Sequence, residues 1–117
     1  MIRRPLFIVL LIIFSWSEVE ANEPDYYSGN YMLPHCEHYA TVNRLDVLAG
    51  RCGGIIETLL FLGKDLPISY KICAPKQVVP LQAGFVVVNY MKNHPEELHM
   101  PFKWIAIRAL RLAWMCE

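Results

Sequence analysis

The sequence predicts an all-α domain, a small bundle of about four helices in two antiparallel hairpins stapled by two disulfides. Three observations predict it. Apolar residues recur at three- and four-residue spacing in the longer segments, the period of one helical face. Glycines and prolines punctuate the chain between those segments. Cys36, Cys52, Cys73 and Cys116 form an even set in a short chain with an export signal, which reads as a pair of disulfides.

The export signal opens the sequence. Arg3 and Arg4 precede an unbroken apolar run from Leu6 to Phe14, and Val19-Glu20-Ala21 has the small and medium residues of a cleavage site. The run is nine residues long, whereas a bilayer-spanning helix takes about 20, so a cleaved signal peptide is expected over residues 1–21 rather than an anchor. No cysteine follows the run to carry a lipid. Residues 22–117 then form one helical domain, of a size at which a core benefits from covalent staples. The whole chain carries eleven basic and eleven acidic residues, and the leader holds two of each. The remainder is neutral and has no basic block, so neither nucleic acid nor anionic lipid is an expected partner.

A first short helix is expected over Tyr31 to Ala40, with Pro34 tolerated near its start. Arg44 to Leu62 is a stronger helix, on the spacing of Leu45, Leu48, Cys52, Ile55, Ile56, Leu59 and Leu62. Gly50, Gly53 and Gly54 each cost this helix about 1 kcal/mol against alanine, offset by close approach of a neighbour. Gly63 stands at the C-cap position, and Lys64 to Lys76, with Pro67 and Pro75, forms a crossing connection. Val78 to Asn93 has a β-favouring Val86-Val87-Val88 core. Its length and the spacing of Leu81, Phe85, Val88 and Met91 favour a helix, with Pro80 in the first turn. Asn93-His94-Pro95-Glu96-Glu97 reads as the start of the last helix, its acids facing the positive end of the dipole. The stripe of Leu98, Phe102, Ile105, Ala109 and Leu112 carries that helix on, with a kink or restart at Pro101.

This layout places Cys73 just before the third helix and Cys116 just after the fourth, ends that meet in an antiparallel hairpin. Cys36 and Cys52 flank the turn between the first two helices. The pairing Cys36–Cys52 with Cys73–Cys116 follows, with chain-entropy contributions of roughly 3 and roughly 4 kcal/mol. Cys36–Cys73 with Cys52–Cys116 stays open.

The residues offer little catalytic chemistry. His35 and His38, three apart beside Glu37, come nearest to a metal-ligand set, but Cys36 is wanted for a disulfide and exposed histidines need no ion. His94 and His99 flank Glu96 and Glu97 in what reads as a cap and polar turn. No serine elbow and no glycine-rich phosphate loop is present, so no catalytic residue, metal or cofactor is expected. The many large aromatic side chains suit a protein-binding role, with Tyr90, Trp104 and Trp114 as candidates for a dimer contact.

The order of several motifs resembles a known family. Asn30-Tyr31-Met32-Leu33-Pro34-His35-Cys36, Gly50-Arg51-Cys52-Gly53-Gly54-Ile55-Ile56 and Ile72-Cys73-Ala74-Pro75 come first. Val86-Val87-Val88-Asn89-Tyr90-Met91-Lys92-Asn93-His94-Pro95-Glu96-Glu97-Leu98-His99 and Trp114-Met115-Cys116 complete the set. In this order they resemble the Rap/Tai family of type VI secretion immunity proteins over nearly all of residues 22–117. The chain departs from the pattern at Val78-Val79-Pro80, where a good N-cap is usual, and at Arg51, where an aromatic often precedes the cysteine. The resemblance implies a helical, disulfide-stabilised periplasmic protein, often homodimeric. Such a protein binds a secreted peptidoglycan amidase effector and blocks its active-site cleft. An acid-stress periplasmic chaperone of the HdeA type is the alternative, since it too is small, helical and disulfide-bonded, and four histidines give this chain a pH response.

Overall fold

A serine sets the first helix. In the computed structural model, which describes residues 23–42 and 46–117, Ser28 is the N-cap of α1 (Gly29–Glu37), and its Oγ accepts from the Tyr31 N–H at 3.2 Å. The first N–H groups of a helix have no partner within it. Here the Gly29 and Asn30 N–H groups donate to the carbonyls of Met100 and Leu98, at 2.9 and 2.8 Å. The Phe102 N–H returns a bond to Tyr27 O. These bonds dock residues 27–30 on residues 98–102, at the start of the last helix. They also place the first helix two residues earlier than expected, with Pro34 inside it. The expected signal peptide and positions 43–45 lie outside the described residues.

Pro34 has no N–H to return to Asn30, and beyond Glu37 the helix widens into a π-helical turn, His38–Val42. That turn carries Tyr39 between two helices. A Cβ on Gly53 would lie 2.5 Å from the Tyr39 ring, and one on Gly84 would lie 2.9 Å from its other edge. Close approach therefore accounts for Gly53. It does not account for Gly50 or Gly54, whose added Cβ would meet nothing within 4 Å.

The second helix, α2 (Val47–Leu62), begins at Asp46, whose carboxylate accepts from the Leu48 and Ala49 N–H groups at 3.0 and 2.8 Å. It runs into a short 3₁₀ turn at Gly63–Asp65. Gly63 is the C-cap of this helix, as expected, and keeps right-handed helical angles (φ −50°, ψ −42°), so no positive φ calls for glycine. Glycine is needed there for space instead. A Cβ would sit 2.7 Å from the carbonyl oxygen of Ile72, where the crossing connection passes under the helix end.

Residues 80–93 are helical throughout: α3 (Pro80–Asn93) starts on Pro80 and buries Ala83, Gly84, Val87, Val88 and Met91. The valine run is thus a packed helical face, and Leu81 and Phe85, expected inside, are exposed. Pro95–Glu97 forms a separate 3₁₀ turn, and the last helix, α4 (Phe102–Ala113), restarts after Pro101. The His-Pro-Glu block therefore does not open the last helix. Its buried face is Phe102, Ile105, Ala106, Ala109 and Leu110, while Leu112, expected on that stripe, faces outward.

Four α-helices and no strand make up the described residues, in two hairpins. The Cys36–Cys52 bridge joins α1 to α2, with Cα atoms 5.4 Å apart. The Cys73–Cys116 bridge joins the crossing connection to the segment after α4, with Cα atoms 5.1 Å apart. Met32, Ile56, Ile72, Met91, Phe102, Ile105 and Leu110 fill one core between the hairpins. None of the described helices is long and apolar enough to cross a membrane.

Candidate functional site

The candidate ligand residues on the first helix are separately engaged. His35 leans on the Tyr31 ring with centroids 5.1 Å apart, Glu37 pairs with Lys92 at 3.2 Å, and His38 Nδ1 lies 3.1 Å from Asp46 Oδ2. The Asp46 carboxyl is held below the ordinary aspartate range, chiefly by the Ala49 N–H and then by His38.

The His-Pro-Glu turn does gather its polar groups. The donor atoms of His94, Glu96 and Glu97 lie within 4.8 Å of one another, the grouping among the described residues that could hold a divalent ion. Two of its members, Glu97 and His94, already have protein partners. Glu97 accepts from the Tyr90 hydroxyl through one oxygen and pairs with the Arg108 guanidinium through the other. His94 stacks on Tyr90, ring centroids 4.0 Å apart, and its Nδ1 lies 2.8 Å from the Tyr90 carbonyl oxygen. Burial raises the Tyr90 phenol above its ordinary range, Arg108 opposes that shift and Glu96 adds to it. The block ties the end of α3 to the outer face of α4. Sequence reasoning took the acids for dipole partners and missed this link, for which Glu97 and Arg108, eleven residues apart across a proline break, give no local signal.

Of the aromatic dimer candidates, Tyr90 and Trp114 are half-buried, and Trp104 is the most exposed, at 39 %. Trp104 stands beside Tyr70, with ring centroids 5.3 Å apart. The two belong to a larger feature that sequence reasoning did not find. Between the crossing connection and α4 run two adjoining clefts, about 470 and 400 Å³ in volume, and Arg108 and Arg111 line both. Ile68, Leu112 and Met115 stand at the rim of the first, 86 %, 60 % and 73 % exposed. Side chains of this kind exposed together mark interaction surfaces in soluble proteins. The one signal in the sequence was Ile68, an apolar residue in a proline-bounded connection.

A third cleft, of about 420 Å³, has Tyr27, Ile55 and Phe102 between Arg51 and Lys103. Its arginine is already used: Arg51 Nη1 donates to Tyr26 O at 3.0 Å, and the guanidinium lies over the Tyr27 ring.

The family model described as Rap1a immunity proteins matches residues 28–116, from the α1 N-cap to the closing cysteine. No curated protein sequence and no solved structure matches the chain significantly.

Proposed function

The chain belongs to the Rap1a immunity protein family, and on that premise we propose that it is a periplasmic immunity protein that binds a type VI secreted peptidoglycan amidase effector. Binding occludes the amidase's active-site cleft and protects the producing cell. The observation that carries the reading is the extent of the match, which takes in all four helices and both disulfides. The disulfides suit an oxidising compartment, where an incoming wall-cutting enzyme has to be stopped. Residues 1–21 supply the route there as a cleaved signal peptide, leaving residues 22–117 as the acting domain.

Occlusion is stoichiometric and asks of the protein a rigid, complementary surface rather than turnover. Two cross-linked hairpins meet that requirement, because a surface ordered before binding loses little conformational entropy on binding. The family match favours this reading over an acid-stress chaperone. The resemblance to the Rap/Tai pattern extends the proposal to a homodimer.

The test is co-expression. An amidase effector encoded beside this gene, directed to the periplasm, lyses the host, and directing this chain to the same compartment restores growth. Lysis that proceeds unchanged while the chain accumulates in the periplasm overturns the reading.

A further inference from the structure

Trp104, Arg108, Arg111 and Met115 follow one another at four, three and four residues, a single outward stripe on and just beyond α4. The crossing connection stands opposite with Ile68, Tyr70 and Lys71. The two sides are held at a fixed span. The Cys73–Cys116 disulfide ties them together, the Cys73 N–H donates to Trp114 O at 3.0 Å, and Ile72, 1 % exposed, anchors the connection in the core.

Cations outnumber acidic residues in the lining of this groove. Lys71, Arg108 and Arg111 line it, against the acidic residue Glu117. Glu97 already pairs with Arg108. Arg111 has no hydrogen bond or ion pair among the described residues, and its Nε is buried without an acceptor. The guanidinium charge thus has no partner among the described residues, and a carboxylate reaching it from the groove would supply one. Arginine is also the side chain whose planar fork matches a carboxylate.

We propose that the groove between the crossing connection and α4 is the effector-docking face, and that its occupant is an acidic protein segment carrying an apolar side chain. A carboxylate of that segment sits on Arg111, with Lys71 adding to the positive field. The apolar side chain packs among Ile68, Leu112 and Met115. This inference rests on the effector-binding reading and adds to it a place and a chemistry. In the third cleft Arg51 is committed to Tyr26 and Tyr27, and Lys103 lies over the Trp104 ring at 5.8 Å.

The test is the affinity of the disulfide-bonded chain for the nucleophile-silenced amidase effector encoded beside its gene, measured by calorimetry. The variants are Ile68→Asp, Met115→Asp and Arg111→Glu, with Phe61→Asp as an exposed control that lines none of the three clefts. The first two sit at exposed positions, and circular dichroism checks all four for folding. Each groove variant is expected to weaken binding roughly 30-fold or more, the loss typical of a central interface residue, while Phe61→Asp leaves it unchanged. Binding by the parent chain is also expected to weaken as salt rises. If the parent binds and the folded Ile68→Asp and Met115→Asp variants bind equally well, the docking face is overturned and the effector-binding reading stands. If the parent does not bind, that reading fails and the inference fails with it. Groove variants that abolish self-association, or adsorption to phosphatidylglycerol vesicles, while effector affinity is kept would assign the groove to that other occupant and overturn the proposal.

Discussion

Three glycines in one helix give an internally controlled test of the packing. Gly50, Gly53 and Gly54 all lie in α2, so alanine at each gains the same intrinsic helix propensity, about 1 kcal/mol. At Gly54 the new methyl meets nothing within 4 Å, and the full gain should appear. At Gly53 it would lie 2.5 Å from the Tyr39 ring, which needs more than a small adjustment. The ring has little freedom to retreat, because a Cβ drawn at Gly84 comes within 2.9 Å of its opposite edge. Overpacking of this kind costs about 1–3 kcal/mol. G53A is therefore expected to fall about 2 kcal/mol below G54A, or about 10 °C in melting temperature for a domain of this size. Thermal denaturation followed by circular dichroism reads the difference directly. Tyr39→Leu, which removes the ring, should recover most of the G53A loss in a double-mutant cycle. Equal shifts for G53A and G54A would refute the wedging of Tyr39 between the two helices.

The disulfides rank by loop length: removing Cys73–Cys116, which closes a separation of 43, should cost about 4 kcal/mol, and removing Cys36–Cys52, with a separation of 16, about 3. Urea titrations of the paired cysteine-to-alanine variants check the order. Asp46 has a lowered pKa in the folded chain, so its contribution is full above the unfolded carboxylate pKa and is lost as the pH falls through the folded value. Asp46→Ala should lower neutral-pH stability and flatten that acid limb in denaturation curves taken across pH. Tyr90 has a raised pKa, so its stabilising share is present below the unfolded phenol pKa and is lost as the pH rises through the folded one. Glu97→Gln should leave Arg108 without its carboxylate and loosen the turn after α3, seen as faster amide exchange at residues 95–100.

The helices were legible because their signals are local. The spacing in α2, Pro80 at the start of α3 and the position of Pro101 each bear on a few neighbouring residues, and both disulfides followed from where those helices end. Boundaries set across the fold were not legible. The early start of α1 depends on carbonyls of Leu98 and Met100, some seventy residues away in sequence. The role of Gly63 depends on the Ile72 carbonyl, and a glycine after a helix looks the same whether it needs positive φ or only space. The buried face of α3 was misread because Gly84 and Ala83, which carry little hydrophobic signal, pack inward while Leu81 and Phe85 face out. The Arg108 and Arg111 groove was hidden for a related reason. Cations late in a helix read as dipole partners, and only the disulfide-bound connection opposite turns them into one wall of a cleft.

The central claim is that this protein acts by binding a wall-cutting amidase. The direct measurement is peptidoglycan hydrolysis by the purified effector while the disulfide-bonded chain is titrated in. The account predicts inhibition that completes near one binding site per amidase, with the Ile68→Asp chain showing an inhibition constant roughly 30-fold higher. Hydrolysis that continues at its full rate with the chain in large excess would contradict it.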